Sequence, residues 1–143
     1  MIWFEEYPLE KINKLNENCM VSFCDIEITE KTDNSLIGTM KVSDKVKQPF
    51  GILHGGANCV LAETLGSLAA NLVCDPKASH AVGLSITTNH IKAVRNGFVK
   101  GVATPTHIGR TTHVWDIKTY NDAEQLTSVT SLTMAIVSKL GKK

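Results

Sequence analysis

Residues 51–74 read GILHGGANCVLAETLGSLAANLVC and form the one long helical candidate of the chain, which Asp75-Pro76 ends. Glu63 is the only charged side chain in this stretch, an unusual composition for a helix on the surface of a protein. We therefore expect a helix from Gly55 to Cys74 that is covered on most sides. A membrane span is the competing interpretation, and the central Glu63 with the interspersed Gly, Ser and Asn residues argues against it.

The predicted helix has two different faces when its residues are placed at 100° intervals. Glu63 lies opposite a leucine face that is expected to pack on a sheet. A buried salt bridge to a Lys or Arg is the alternative role for Glu63, but such a carboxylate is more often functional. The leucine face comprises Leu61, Leu65, Leu68 and Leu72, and the small residues assigned to the Glu63 face are Gly56, Cys59, Gly66, Ser67, Ala70 and Cys74.

The start of the helix is the second signal. Gly55 and Gly56 follow His54 where unpaired backbone N–H groups and the positive end of the helix dipole emerge, which favours binding of an oxyanion. The alternative is that the glycines only permit a tight entry turn. Gly55 and Glu63 are eight residues apart, which is about 12 Å along one helix axis. Two antiparallel copies of the helix would bring both groups to one carbonyl carbon, so the sequence predicts a homodimer with shared sites.

The rest of the chain is predicted to be mostly β-structure. A short amphipathic helix is expected over Pro8–Asn16, and the strands follow one another through short turns such as Thr32–Ser35. No helix-length segment separates the last four strands, which indicates an α+β fold with an antiparallel sheet. A frayed tail is expected at 141–143. The predicted strands cover residues 21–32, 35–42, 81–94, 99–106, 112–120 and 125–139.

Length and composition limit the classes of protein that fit this chain. Its 143 residues, 43% hydrophobic and 20% charged, indicate one globular domain over residues 1–143. A formal net charge of +1 argues against a nucleic-acid partner. The first residues contain no apolar run of signal-peptide length, so the expected location is the cytoplasm.

The cysteines and histidines show no metal-ligand spacing. There is no CxxC and no HxxxH pair, so no metal is expected. The cysteines are expected to be reduced and mostly buried. The residues concerned are Cys19, Cys24, Cys59 and Cys74, with His54, His80, His90, His107 and His113.

Two long motifs carry a family resemblance that spans nearly the whole chain. QPFGILHGG at 48–56 and LAETLGS at 61–67 are similar to the hotdog-fold acyl-CoA thioesterases. The branch is that of the Arthrobacter-type 4-hydroxybenzoyl-CoA thioesterase and the enterobacterial proofreading and menaquinone-pathway thioesterases. The resemblance implies a long helix wrapped by a curved antiparallel sheet, in dimers that commonly pair into tetramers. Supporting residues are Gly83, Asn89-His90 and His107-Ile108-Gly109-Arg110.

The resemblance also implies roles in thioester hydrolysis. The Gly55 N–H would stabilise the oxyanion, and Glu63 of the facing subunit would act as general base or as nucleophile. Ser67 would hold the attacking water or orient the carboxylate. Gln48 and His54 would complete the polar lining, although a hydrogen bond at the helix entry is an equal alternative for His54.

The same resemblance implies a channel for coenzyme A, which enters as part of the substrate and not as a cofactor. Cationic side chains and backbone donors would meet its phosphates there, with Arg110 the first choice. Ile91-Lys92-Ala93 departs from relatives, which often carry a second His and an Arg-Pro after His90. The channel residues are Gly83, His90, Lys92, His107, Gly109, Arg110 and Thr111.

Several functional alternatives stay open at this point. A non-catalytic acyl-CoA binding or sensing protein is the main one, since a fold does not fix an activity, and a hotdog dehydratase ranks last. The acyl group is expected to be aromatic, β-keto or otherwise small, and the carrier is coenzyme A or an acyl carrier protein. Phe50, Leu68 and Trp3-Phe4 are candidates for the acyl pocket, with a core position the alternative for the aromatic residues.

Overall fold

The computed structural model describes residues 1–139, so the tail predicted at 141–143 lies outside the described residues. One antiparallel sheet of six strands has the order β1-β2-β4-β5-β6-β3 within this part of the chain. The sheet packs against one long helix, which confirms the predicted α+β class. The strands are β1 (Ile26–Lys31), β2 (Leu36–Lys41), β3 (Ser79–His90), β4 (Phe98–Ile108), β5 (Thr112–Tyr120) and β6 (Leu126–Ser138), and the helices are α1 (Leu9–Leu15), α2 (Met20–Phe23) and α3 (Gly55–Val73).

Helix α3 lies on the sheet through its leucine face, as predicted for Leu61, Leu65 and Leu72. Leu68 is only half-buried, so the predicted leucine face is wrong at that position. Gly66 was expected beside Glu63, but a β-carbon on it would lie 2.5 Å from Leu132 Cδ2. Gly66 therefore faces the sheet, because β6 approaches the helix too closely for any side chain.

The segment before β1 differs from the prediction. Residues 20–23 form the short helix α2, so the strand predicted from residue 21 begins only at Ile26. Ser22 Oγ bonds to the backbone of Cys19 at the helix start, and Asp25 takes a left-handed φ of 55° that turns the chain into the strand. These local hydrogen bonds outweigh the apolar alternation on which the prediction rested.

Strand β3 is an edge of the sheet and pairs with β6. It ends at His90, four residues before its predicted end, because the Ile91 and Lys92 N–H groups both turn to the Thr127 carbonyl. Most of its side chains are exposed, including the large apolar Val82 and Leu84. The chain thus presents a long free edge beside α3. Within the described residues, no helix has the length and hydropathy that a membrane span requires.

Candidate active site

The first turn of α3 leaves one backbone amide without an acceptor. His54 is the N-cap, and its Nδ1 accepts a hydrogen bond of 2.8 Å from the Gly56 N–H. The Ala57 and Asn58 N–H groups both bond to the His54 carbonyl. The Gly55 N–H has no acceptor within residues 1–139. The hydrogen bond at the helix entry, given above as the alternative for His54, is therefore present.

A cavity of about 250 Å³ opens beside Gly55. A β-carbon on Gly55 would lie 2.8 Å from His90 Nε2, so the His90 ring covers the glycine directly. Gln48 Oε1 accepts a hydrogen bond from the Phe50 N–H, while Gln48 Nε2 has no acceptor in the described chain. The lining residues are Gln48, Ile52, Leu53, Gly55, Asn58, His90, Ile91, Lys92, Ala93 and Val94. Half of these residues are apolar, and the others bring the Gly55 N–H together with amide, imidazole and ammonium side chains.

A second cavity of about 360 Å³ lies beside Glu63. The Glu63 side chain is exposed and forms no ion pair with any residue among 1–139, so the salt-bridge alternative is not what the chain adopts. Ser67, four residues later on the helix, shares the cavity, as does Leu68. The complete lining is Asn16, Met20, Val21, Val60, Glu63, Thr64, Ser67 and Leu68.

Gly83 of β3 lies against the Glu63 carboxylate. A β-carbon on Gly83 would be 2.7 Å from Glu63 Oε1, and the β3–β6 register shifts between Gly83 and Ser85. The structure thus puts Gly83, which the resemblance assigned to the coenzyme A channel, beside the carboxylate. A missing side chain on the edge strand makes room for the Glu63 side chain.

The remaining channel candidates lie at the turn between β4 and β5. The Gly109 N–H donates to the Thr112 carbonyl at 2.9 Å, and the Thr111 carbonyl accepts from Ile136. His107 Nε2 lies 2.5 Å from the position of a β-carbon on Gly109. Arg110 is exposed and, within the described residues, forms no ion pair. None of these four residues lines either cavity, whereas His90 and Lys92 line the one at Gly55.

Asn58 and His113 are buried polar side chains to which the sequence assigned no functional role. Asn58 is 5% exposed, lines the Gly55 cavity, and its Oδ1 has no hydrogen-bond donor. His113 is 3% exposed, and burial together with the neighbouring His107 lowers its pKa below 6.5. A polar residue three positions after Gly55, on the sheet-facing side of the helix, is the signal that could have identified Asn58.

The cysteines and aromatic residues are divided between core and surface. Cys24 and Cys74 are buried, and burial raises the pKa of both thiols. Cys19 is exposed and Cys59 half-buried, so the prediction of mostly buried thiols holds only in part; all four cysteines are free. Trp3 belongs to the core, and Phe50 is 86% exposed. In residues 1–139, no three His, Cys, Asp or Glu side chains are grouped so that they could hold a metal ion.

Comparison with known proteins identifies the family. The family model described as the thioesterase superfamily matches residues 50–128. The 1,4-dihydroxy-2-naphthoyl-CoA hydrolase of Escherichia coli is 42% identical over 96% of this chain and 100% of its own length. The proofreading thioesterase of Cronobacter turicensis is 38% identical over 96% of this chain and 99% of its own. The crystal structure of a thioesterase from Haemophilus influenzae has a TM-score of 0.96 and 39% identity, covering 99% of both chains. The chain therefore belongs to the thioesterase superfamily and is a thioester hydrolase with the hotdog fold.

Proposed function

We propose that the chain hydrolyses a small acyl-CoA thioester at a site formed by two copies of the chain. The observation that carries the proposal is the division of polar groups on α3. The unpaired Gly55 N–H faces one cavity and the unpaired Glu63 carboxylate another, eight residues along the same helix. At about 1.5 Å per residue the two groups are too far apart to act on one carbonyl within a chain. An antiparallel partner helix brings them together.

The proposed chemistry assigns one role to each group. The Gly55 N–H, at the positive end of the helix dipole, stabilises the oxyanion that develops on the thioester carbonyl. Glu63 of the other subunit acts as general base on water or as nucleophile. Ser67 shares the Glu63 cavity and holds the attacking water or the carboxylate. Gln48 Nε2, whose amide oxygen is fixed by the Phe50 N–H, donates beside the carbonyl.

The edge strand supports the dimer. Val82 and Leu84 are 40% and 63% exposed on β3, and an uncovered apolar edge strand invites pairing with another strand. Pairing of two β3 strands would place two α3 helices side by side with their Glu63 faces inward. A dimer of such dimers is the assembly that we propose.

Coenzyme A is the proposed thiol carrier. Its support is the name of the E. coli relative, which is a hydrolase of a CoA thioester, together with basic side chains in this chain. His90 and Lys92 line the Gly55 cavity and would meet the substrate there. Arg110, exposed at the β4–β5 turn, would bind a phosphate at the far end of the carrier.

The test is thiol release from a panel of benzoyl-, short-chain, long-chain and β-keto acyl-CoAs. The native protein is compared with Glu63→Gln, which keeps the shape of the side chain and removes its charge. We expect kcat to fall by orders of magnitude with little change in KM, because the carboxylate acts in the transition state. Glu10→Gln makes the same chemical change at an exposed position of α1 and should retain native kcat. A native protein that binds these thioesters without releasing thiol would overturn the proposed hydrolysis of acyl-CoA and favour the acyl-CoA binding or sensing protein.

A further inference from the structure

The Asn58 side chain is buried without its hydrogen bonds. Asn58 is 5% exposed, its Oδ1 has no donor, and its amide forms no hydrogen bond within residues 1–139. Leaving a buried amide unpaired destabilises a fold, and a leucine of similar shape would avoid this cost. Asn13 shows the contrast, because its amide bonds to both the N–H and the carbonyl of Ile28 at 2.8 Å. Because Oδ1 has almost no accessible surface, Nδ2 is the amide atom that a partner from outside the chain can reach.

The position of Asn58 indicates where that partner binds. Asn58 comes three residues after Gly55, on the same side of α3, and both line the cavity of about 250 Å³. A helical side chain leans back over the preceding turn, so the Asn58 amide lies over the turn that begins at Gly55. Oδ1 is the fully buried end of the amide, which leaves Nδ2 as the end toward the cavity.

The proposed reaction needs a second donor at this place. The attacking oxygen bonds to the carbonyl carbon while the carbonyl electron pair moves onto its oxygen. That pair returns when the C–S bond breaks and the thiolate leaves, and water supplies the hydroxyl of the acid and the proton of the thiol. The Gly55 N–H satisfies one lone pair of the oxyanion, and a second aligned donor would stabilise it further.

We infer that Asn58 is a catalytic residue whose Nδ2 donates to the thioester carbonyl oxygen beside the Gly55 N–H. The inference rests on the proposed function, because the carbonyl must occupy the Gly55 cavity. Asn58 lines the Gly55 cavity, whereas His54 does not. Asn58 thus completes a pair of donors, one from the backbone and one from a side chain.

The test uses Asn58→Leu in the full chain, which keeps the shape and removes the donor. We expect kcat on the best panel substrate to fall by about 10²-fold with KM little changed. The melting temperature should hold or rise, because an unpaired buried oxygen has been removed. Asn13→Leu is the matched control, and it should lower the melting temperature while kcat stays native. A structural role for Asn58 would give that same pattern as the control.

Infrared spectroscopy detects the proposed hydrogen bond from Asn58 Nδ2 to the thioester carbonyl directly. Benzoyl-CoA labelled with ¹³C at its carbonyl is bound to Glu63→Gln, and the infrared carbonyl stretch is recorded with and without Asn58→Leu. We expect Asn58→Leu to move the band to higher frequency, because the carbonyl oxygen loses one hydrogen-bond donor. Native kcat in Asn58→Leu with an unshifted band would overturn this inference and leave the proposed function standing. A native protein inactive on the whole panel would overturn the proposed function itself.

Discussion

The two cavities on helix α3 have opposite chemistry. The cavity at Gly55, about 250 Å³, is lined by an unpaired backbone N–H and by Gln48, His90 and Lys92. The cavity at Glu63, about 360 Å³, holds one carboxylate among largely apolar neighbours. A thioester needs a group that polarises its carbonyl and a group that attacks or activates water. Each cavity supplies one of these, and this difference is the reason for proposing a site shared by two chains.

The first test of the two-cavity comparison removes the functional group of one cavity at a time. Gly55→Pro removes the N–H, and the extended His54 with ψ 131° accepts a following proline at the first helical position. We expect Gly55→Pro to lose about 10²- to 10³-fold in kcat relative to Gly55→Ala. The alanine variant is the matched control, because it adds a β-carbon near His90 and keeps the N–H.

Mixing the disabled chains tests whether the site is shared. Gly55→Pro and Glu63→Gln are unfolded together, refolded at equal amounts, and assayed for thiol release. Random pairing makes half of the dimers mixed, and each mixed dimer has one intact site, so about a quarter of native activity should return. If both groups acted within one chain, the mixture would stay as inactive as its parts.

The contact between Gly83 of the edge strand and the Glu63 carboxylate tests whether the position of the carboxylate matters for the reaction. Gly83→Ala places a β-carbon 2.7 Å from the present position of Glu63 Oε1, so the carboxylate must move. We expect kcat to fall about 10- to 100-fold, because small displacements of a reacting group are costly. Thiol release and size-exclusion chromatography are measured together. Native kcat with an unchanged elution volume would show that the carboxylate does not need its present position.

The N-cap residue His54, next to Gly55, allows helix capping to be separated from a role in the reaction. His54→Ala loses the hydrogen bond to the Gly56 N–H, and we expect the free energy of unfolding to fall by about 1 kcal/mol. His54→Asn restores a capping side chain and should recover that stability. The measurement is urea unfolding of both variants beside thiol release. Recovery of kcat by asparagine would assign His54 to capping, and its continued loss would assign the imidazole to the reaction.

His113 tests the part of the molecule that lies outside both cavities, and its effect is the smallest. Its folded-state pKa lies below 6.5 because of burial and the nearby His107, so the unfolded chain takes up the proton first as the pH falls. The stabilisation is complete above pH 6.5 and is lost progressively below it. His113→Phe should flatten this part of the curve of unfolding free energy against pH. An unchanged slope would show that His113 does not titrate differently in the two states.

The fold was predictable where one local signal dominates. Helix α3 is predicted from its single charge and its ending at Asp75-Pro76, and it is found at Gly55–Val73. Strand β5 is predicted and found at residues 112–120. The strand predicted from residue 21 is wrong over residues 21–23, because their backbone follows hydrogen bonds around Cys19 that apolar alternation does not record.

The site was predictable where the groups are close in sequence. Gly55, Glu63 and Ser67 follow from one helix, whereas the contact of Gly83 with Glu63 depends on how β3 meets α3 and was not predicted. Asn58 was also missed, since its unpaired amide is visible only when burial is known. The catalytic and coenzyme A roles, the oligomeric state and the single-domain organisation stay predictions.

The pairing of β3 has a consequence for protein synthesis. β3 is third along the chain, yet it pairs with β6, which ends at Ser138. β3 can therefore join the sheet and bring Gly83 to Glu63 only after the ribosome has synthesised β6. A nascent chain in which α3 has already been synthesised carries Glu63 before the sheet beside it is complete. A stop codon in β6 would consequently abolish the site and not merely shorten an edge.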